Sequence, residues 1–177
     1  AENDLADRTF PRTPFVPANK ALRDERCEEI LTLQATGLAT RLRHTHAKTA
    51  VVGLSGGLDS TLALIVLVHA FDMLSLDRKG ILAVTMPCFG TTARTKGNAE
   101  KLAEAYGVTL KTVDIKAAVD QHFEDIGQSK DDLSVTFENG QARMRTLVLM
   151  NLANKTGGMV VGTGDLSELA LGWATYN

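Results

Sequence analysis

Apolar residues along the chain alternate between two spacings. Short runs rich in aliphatic residues, Ala50 to Leu54, Ile81 to Met86, Thr109 to Asp114 and Met159 to Gly162, read as β-strands. Between them the spacing becomes helical, over Thr61 to about Met73, Thr95 to Tyr106, Lys116 to Phe123, Glu138 to Asn154, and again from Asp165. From Ala18 to about Arg43, Leu22, Ile30, Leu33, Leu38 and Leu42 recur at broadly helical intervals. Gly37 interrupts them, so a leading helix or a bent helix pair is expected there. Residues 1–17 are polar and carry Pro11, Pro14 and Pro17, which predicts an extended arm or interdomain linker. Glu124 to Ser134 reads as a polar loop.

Alternation of this kind predicts an α/β fold, a doubly wound parallel sheet flanked by helices, in one domain over residues 18–177. Such sheets bind ligands beyond the carboxyl ends of their strands, beside the switch in strand order. Three segments fall at such ends: Ser55 to Ser60, Pro87 to Thr95 and Gly162 to Glu168.

The first of these carries the chemistry. Ser55-Gly56-Gly57-Leu58-Asp59-Ser60 follows Gly53 and Leu54 at a strand end and opens a helix. Adjacent glycines let backbone N–H groups converge on an anion, and the helix that follows adds unpaired N–H groups and a positive dipole end. No lysine lies between Gly53 and Ser60, so this is not the Walker-type loop. An acid beside polyphosphate needs a cation between the two, which makes Asp59 a Mg²⁺ ligand with the Ser55 and Ser60 hydroxyls on phosphate. The plainer alternative is a Gly-Gly turn with Asp59 serving the helix N-terminus.

A strand followed by Ser-Gly-Gly-x-Asp-Ser resembles the pyrophosphate loop of the ATP pyrophosphatases, which adenylate a substrate oxygen. The segment from Val160 to Asn177, VVGTGDLSELALGWATYN, resembles the signature of the NAD synthetases, particularly the long, glutamine-dependent type. Phe137 to Arg145 and Thr85 to Thr92 resemble the same family in the same order. The likeness covers the chain from about Pro14 onward.

The resemblance implies the adenine nucleotide alpha hydrolase-like fold and ATP-dependent amidation of deamido-NAD to NAD through an adenylate, with release of AMP and pyrophosphate. It places ATP on Gly53 to Ser60, on Met86 and on Thr163. It places deamido-NAD on Asn139, Arg143, Glu168, Trp173, Ala174, Thr175 and Tyr176, with Asp59 and Glu168 on Mg²⁺. From the residues alone, Asp165 to Glu168 also fits a helix capping box, Met86 fits core packing and Arg143 a surface cation. Arg145, two residues from Arg143 and so facing elsewhere on the helix, reads more readily as solvated. Arg94 and Lys96 are further phosphate candidates. The resemblance implies no catalytic side chain, ammonia supplied from glutamine by a glutaminase domain absent from this chain, and a homo-oligomer. Against that pattern the chain reads as truncated at both ends and poorly active alone.

Composition narrows this little. The 177 residues, 44% of them hydrophobic, suffice for one core. A net charge of −2, with scattered cations, offers no attraction to nucleic acid. Cys27 and Cys88 lie far apart, with neither disulfide nor zinc spacing, and no apolar run approaches the ~18 residues that span a bilayer. A cytoplasmic protein is expected. His44 and His46 cannot share a helix face, and no histidine is assigned to catalysis. Two other readings stay open: the same chemistry on another acceptor, and a non-catalytic fragment or partner-binding module.

Overall fold

The computed structural model describes residues 8–10, 12–89, 93–129, 131–172 and 174, with 93–96 described in their backbone alone. Four parallel strands form one sheet: β1 (Ala50–Gly53), β2 (Ile81–Thr85), β3 (Thr109–Thr112) and β4 (Met159–Val161), in the order β3-β2-β1-β4. Among the described residues six α-helices accompany them: α1 (Lys20–Thr45), α2 (Leu58–Met73), α3 (Ala93–Tyr106), α4 (Lys116–Ile126), α5 (Val135–Thr156) and α6 (Leu166–Ala170). The chain steps outward from β1 to β2 to β3, then returns through α5 to place β4 on the other side of β1. The order therefore switches at β1, and the glycine loop follows that strand.

Because side chains alternate across a strand, β1 serves two layers. Ala50 and Val52 join Leu42 of α1, Leu64, Leu67 and Phe71 of α2, and Ala99 and Ala103 of α3. Val51 points the other way, into a cluster with Val84, Ile115, Val119, Phe123 and Ala153, beneath α4 and α5. Helix α5 approaches α4 closely because Gly140 has no side chain. A Cβ there would lie 2.5 Å from the Phe123 ring.

The doubly wound sheet matches the sequence expectation, and the leading segment takes the first of its two expected forms. It forms one helix that runs through Gly37, and Leu22, Ile30 and Leu33 are exposed. The face that packs is made of Ala35, Ala39 and Leu42, and the two alanines are small enough to let α1 lie close on α2. Asn19 begins this helix, its side chain accepting the Leu22 N–H at 3.1 Å. In the preceding arm, Val16 donates to the Thr13 carbonyl at 3.1 Å, so this part turns instead of running straight. The expected loop Glu124 to Ser134 shortens at its first end as α4 runs on to Ile126, and it ends as expected where α5 starts at Val135.

Candidate active site

Leu54 fixes where the loop begins. Its side chain is buried and its N–H donates to the Val84 carbonyl at 2.8 Å, which ties the end of β1 to β2. Gly56 then takes φ +82°, a left-handed conformation that suits glycine, and Gly57 caps α2 in extended conformation. The serines on either side hold the turn. The Gly57 N–H donates to Ser55 Oγ at 3.2 Å, the Ser55 N–H donates to Ser60 Oγ at 3.3 Å, and the two hydroxyl oxygens lie 3.1 Å apart. Ser60 Oγ also donates to the Gly57 carbonyl at 3.2 Å. The small ring of hydroxyl and amide groups sits at the dipole end of α2, with Asp59 in its first turn.

This loop forms the floor of a cavity of about 620 Å³ at the carboxyl ends of β1 and β2. Gly53, Leu54, Val84, Met86 and Leu149 give it an apolar side. Ser55, Asp59, Ser60, Thr163 and Glu168 give it a polar one. The remaining wall is α5, which presents Gln141, Ala142, Arg145, Thr146 and Leu149, spaced as one helix face. Gln141 is buried and fixed by donation from Nε2 to the Phe137 carbonyl at 3.1 Å. A second cavity of about 390 Å³ opens on the α1–α2 side between Gln34, Leu62, Val66 and the Gly162 to Leu166 turn, and meets the first at Asp59 and Thr163.

Of the sequence candidates, Gly53, Leu54, Ser55, Gly57, Asp59, Ser60, Met86, Thr163 and Glu168 converge on the main cavity. Gly56 borders a shallow groove on the other side of the loop, beside Lys101, and Leu58 is exposed. Asn139 is half-buried on α5 and Arg143 exposed there, neither of them on the cavity wall. Ala174 is half-buried and likewise outside the wall. Trp173, Thr175 and Tyr176 lie outside the described residues, as do Gly90, Thr91 and Thr92 and the side chains of Arg94 and Lys96.

Both readings of Glu168 meet in one side chain. Its N–H donates to Asp165 Oδ1 at 2.7 Å and its Oε2 accepts the Asp165 N–H at 3.1 Å, a complete capping box, while the carboxylate also lines the cavity. Among the described residues no cluster of three or more His, Cys, Asp or Glu could hold a metal by protein ligands alone. Asp59 and Glu168 nevertheless bring two carboxylates to the cavity, the kind of oxygen donor that suits Mg²⁺, an ion that keeps waters and shares phosphate oxygens. Cys88, beyond β2, is half-buried. Desolvation pushes its thiol pKa up, against a smaller lowering by the Phe89 backbone and by the charge of Arg145. An ion pair of Asp72 with Arg78, at 2.6 Å, lies away from the cavity. Its hydrogen bond holds Asp72 below the usual carboxylate range.

A sequence profile described as NAD synthase matches residues 30–177. This chain belongs to the NAD synthase family. The glutamine-dependent NAD(+) synthetase of Mycobacterium bovis is 47% identical over 173 residues, which is 96% of this chain and 26% of that protein. The NH(3)-dependent NAD(+) synthetase of Hyperthermus butylicus is 36% identical over 156 residues, covering 83% of this chain and 54% of the relative. Among solved structures, glutamine-dependent NAD+ synthetase from Acinetobacter baumannii, in complex with adenosine diphosphate, superposes with a TM-score of 0.76 at 31% identity. That match covers 85% of this chain and 28% of the other. The chain thus spans about a quarter of the length of its glutamine-dependent relatives. Its sheet and glycine loop are those of the NAD synthase fold.

Sequence reasoning missed Gln141, Thr146 and Leu149 and read Arg145 as solvated, yet all four belong to the part of α5 that walls the cavity. The spacing of four that joins Gln141, Arg145 and Leu149 was visible, but a stripe of mixed polarity carries no hydrophobic signal to say which way it faces.

Proposed function

We propose that the chain is the synthetase part of an enzyme that amidates deamido-NAD to NAD, consuming ATP. The observation that carries the reading is the convergence of Ser55, Asp59, Ser60, Thr163 and Glu168 on one cavity at the switch in strand order. The nucleotide named in the A. baumannii structure supports ATP as the ligand of the loop. In the first step the nicotinate carboxylate forms a bond to the α-phosphorus as the bond to pyrophosphate breaks. In the second, ammonia attacks the acyl carbon, a proton leaves, and AMP departs.

Neither step demands a strong acid or base from the protein. Its contribution is positioning and charge. The Ser55 and Ser60 hydroxyls and the N–H groups of the α2 first turn hold the leaving pyrophosphate. Met86, Leu149 and Val84 offer an apolar bed for the base. Asp59 and Glu168 would hold Mg²⁺, which when bound would neutralise charge developing on the phosphates. Exclusion of water protects the adenylate until ammonia arrives. A glutaminase domain outside this chain supplies that ammonia, residues 1–17 serve as the linker, and deamido-NAD lies against Asn139, Arg143, Glu168 and the Trp173 to Tyr176 segment. The working form is a cytoplasmic homo-oligomer.

Thermal stability with Mg²⁺–ATP and with deamido-NAD, separately and together, beside an Asp59→Ala variant, tests the reading. Stabilisation by ATP that disappears in the variant is expected, with a further shift from deamido-NAD. A cooperative melt that no ligand moves would sink the proposal. A shift with ATP but none with deamido-NAD would transfer the chemistry to another acceptor.

A further inference from the structure

The cavity holds an imbalance of charge. Asp59 and Glu168 bring two carboxylates to it, and among the described residues Arg145 is the one Lys or Arg on its wall. ATP bears about four negative charges, of which Mg²⁺ cancels two, so a loop of neutral donors with a helix dipole leaves net charge uncovered. Phosphate loops of the Walker type meet this need with a lysine, which the segment Gly53 to Ser60 lacks.

We propose that Arg145 is a side-chain cation of the phosphate site, reaching from α5 across the cavity toward the glycine loop; this rests on the nucleotide reading given above. Helix geometry separates Arg145 from Arg143 by about 200°. That rotation puts Arg145 with Gln141 and Leu149 on the cavity wall and leaves Arg143 exposed. Arg145 is half-buried, which limits the side-chain freedom that phosphate binding must freeze. Its charge is felt at Cys88, just past the carboxyl end of β2, so the guanidinium lies at the end of the sheet where the loop opens. A planar guanidinium can take two phosphate oxygens at once. Placed there, Arg145 favours the pyrophosphate leaving group, whose charge grows as the bond to the α-phosphorus breaks. It is a binding residue of the polyphosphate and makes no demand on the base or the acceptor.

The decisive measurement is calorimetric binding of three probes to the full chain: Mg²⁺–ATP, Mg²⁺–pyrophosphate and adenosine. Unmodified protein is compared with Arg145→Ala, Arg145→Lys and, as a charge control away from the cavity, Lys111→Ala. Arg145→Ala should weaken both phosphate probes about 10- to 100-fold while leaving adenosine within twofold. Arg145→Lys, which keeps the charge and loses the fork, should fall between, and Lys111→Ala should match unmodified protein. Unchanged pyrophosphate binding in both Arg145 variants would overturn the inference. Equal loss of adenosine and pyrophosphate would also overturn it, since that pattern marks a packing role for the side chain. If unmodified protein bound none of the three, the nucleotide reading itself would fall, and Arg145 with it.

Discussion

A residue's type and its neighbours in sequence say what it is able to do, and its position in the fold decides whether it does it. Arg143 and Arg145 have the same chemistry and nearly the same place in the chain, yet only Arg145 reaches the cavity wall. The family likeness points to Arg143, because motif matching follows order along the chain, whereas the cavity selects by angle around α5. The glycine loop was legible for the opposite reason, since its function is local and six consecutive residues contain nearly all of it. Cys88 gives a test at this scale. Burial keeps it protonated above the pH at which an ordinary thiol ionises. Its reaction with iodoacetamide should lag that of exposed Cys27 at neutral pH and gain rate only as pH rises beyond the usual thiol range, as tracked by peptide mass spectrometry. The sign for stability follows from the raised value. The contribution is fully present below the unfolded thiol pKa and is lost as pH climbs through the folded one.

Among the elements, α1 forms as its sequence foretells but packs through only part of its apolar set. Of the large apolar residues at helical spacing, Leu22, Ile30 and Leu33 are exposed and Leu38 is half-buried, while Leu42 is buried and forms the seam with Ala35 and Ala39, too small to register strongly. The rest was readable because β1 and β2 are short apolar runs bounded by turns, and because α5 ends at Gly157 in the left-handed cap conformation. The expected energetics follow the seam. Leu42→Ala removes a fully buried side chain between α1 and the sheet, so it should cost about 2–5 kcal/mol in denaturant unfolding. Leu33→Ala should stay within about 0.5 kcal/mol. Equal losses at the two positions would mean that the first half of α1 is packed in solution after all.

The molecule as a whole is two helical layers meeting on one thin sheet, and β1 is the strand on which both depend. Val52 belongs to one cluster and Val51 to the other, so neither layer can separate without exposing the strand between them. Native-state hydrogen exchange should therefore find the β1 amides opening only with global unfolding, at the free energy obtained from denaturant melts, while the first turns of α1 exchange far sooner. Protection of β1 well below the global value would show that the layers come apart independently. The outer position of β4 has a further result. It is an edge strand of the described sheet, three half-buried residues long, and its carboxyl end delivers Thr163 and Glu168 to the cavity. Any strand added beside it in parallel would bring its own following loop to that same rim, so the cleft can lengthen one strand at a time. Acceptor-binding groups acquired in this way would leave the nucleotide end untouched, making the fold expandable at one margin without renegotiating its centre.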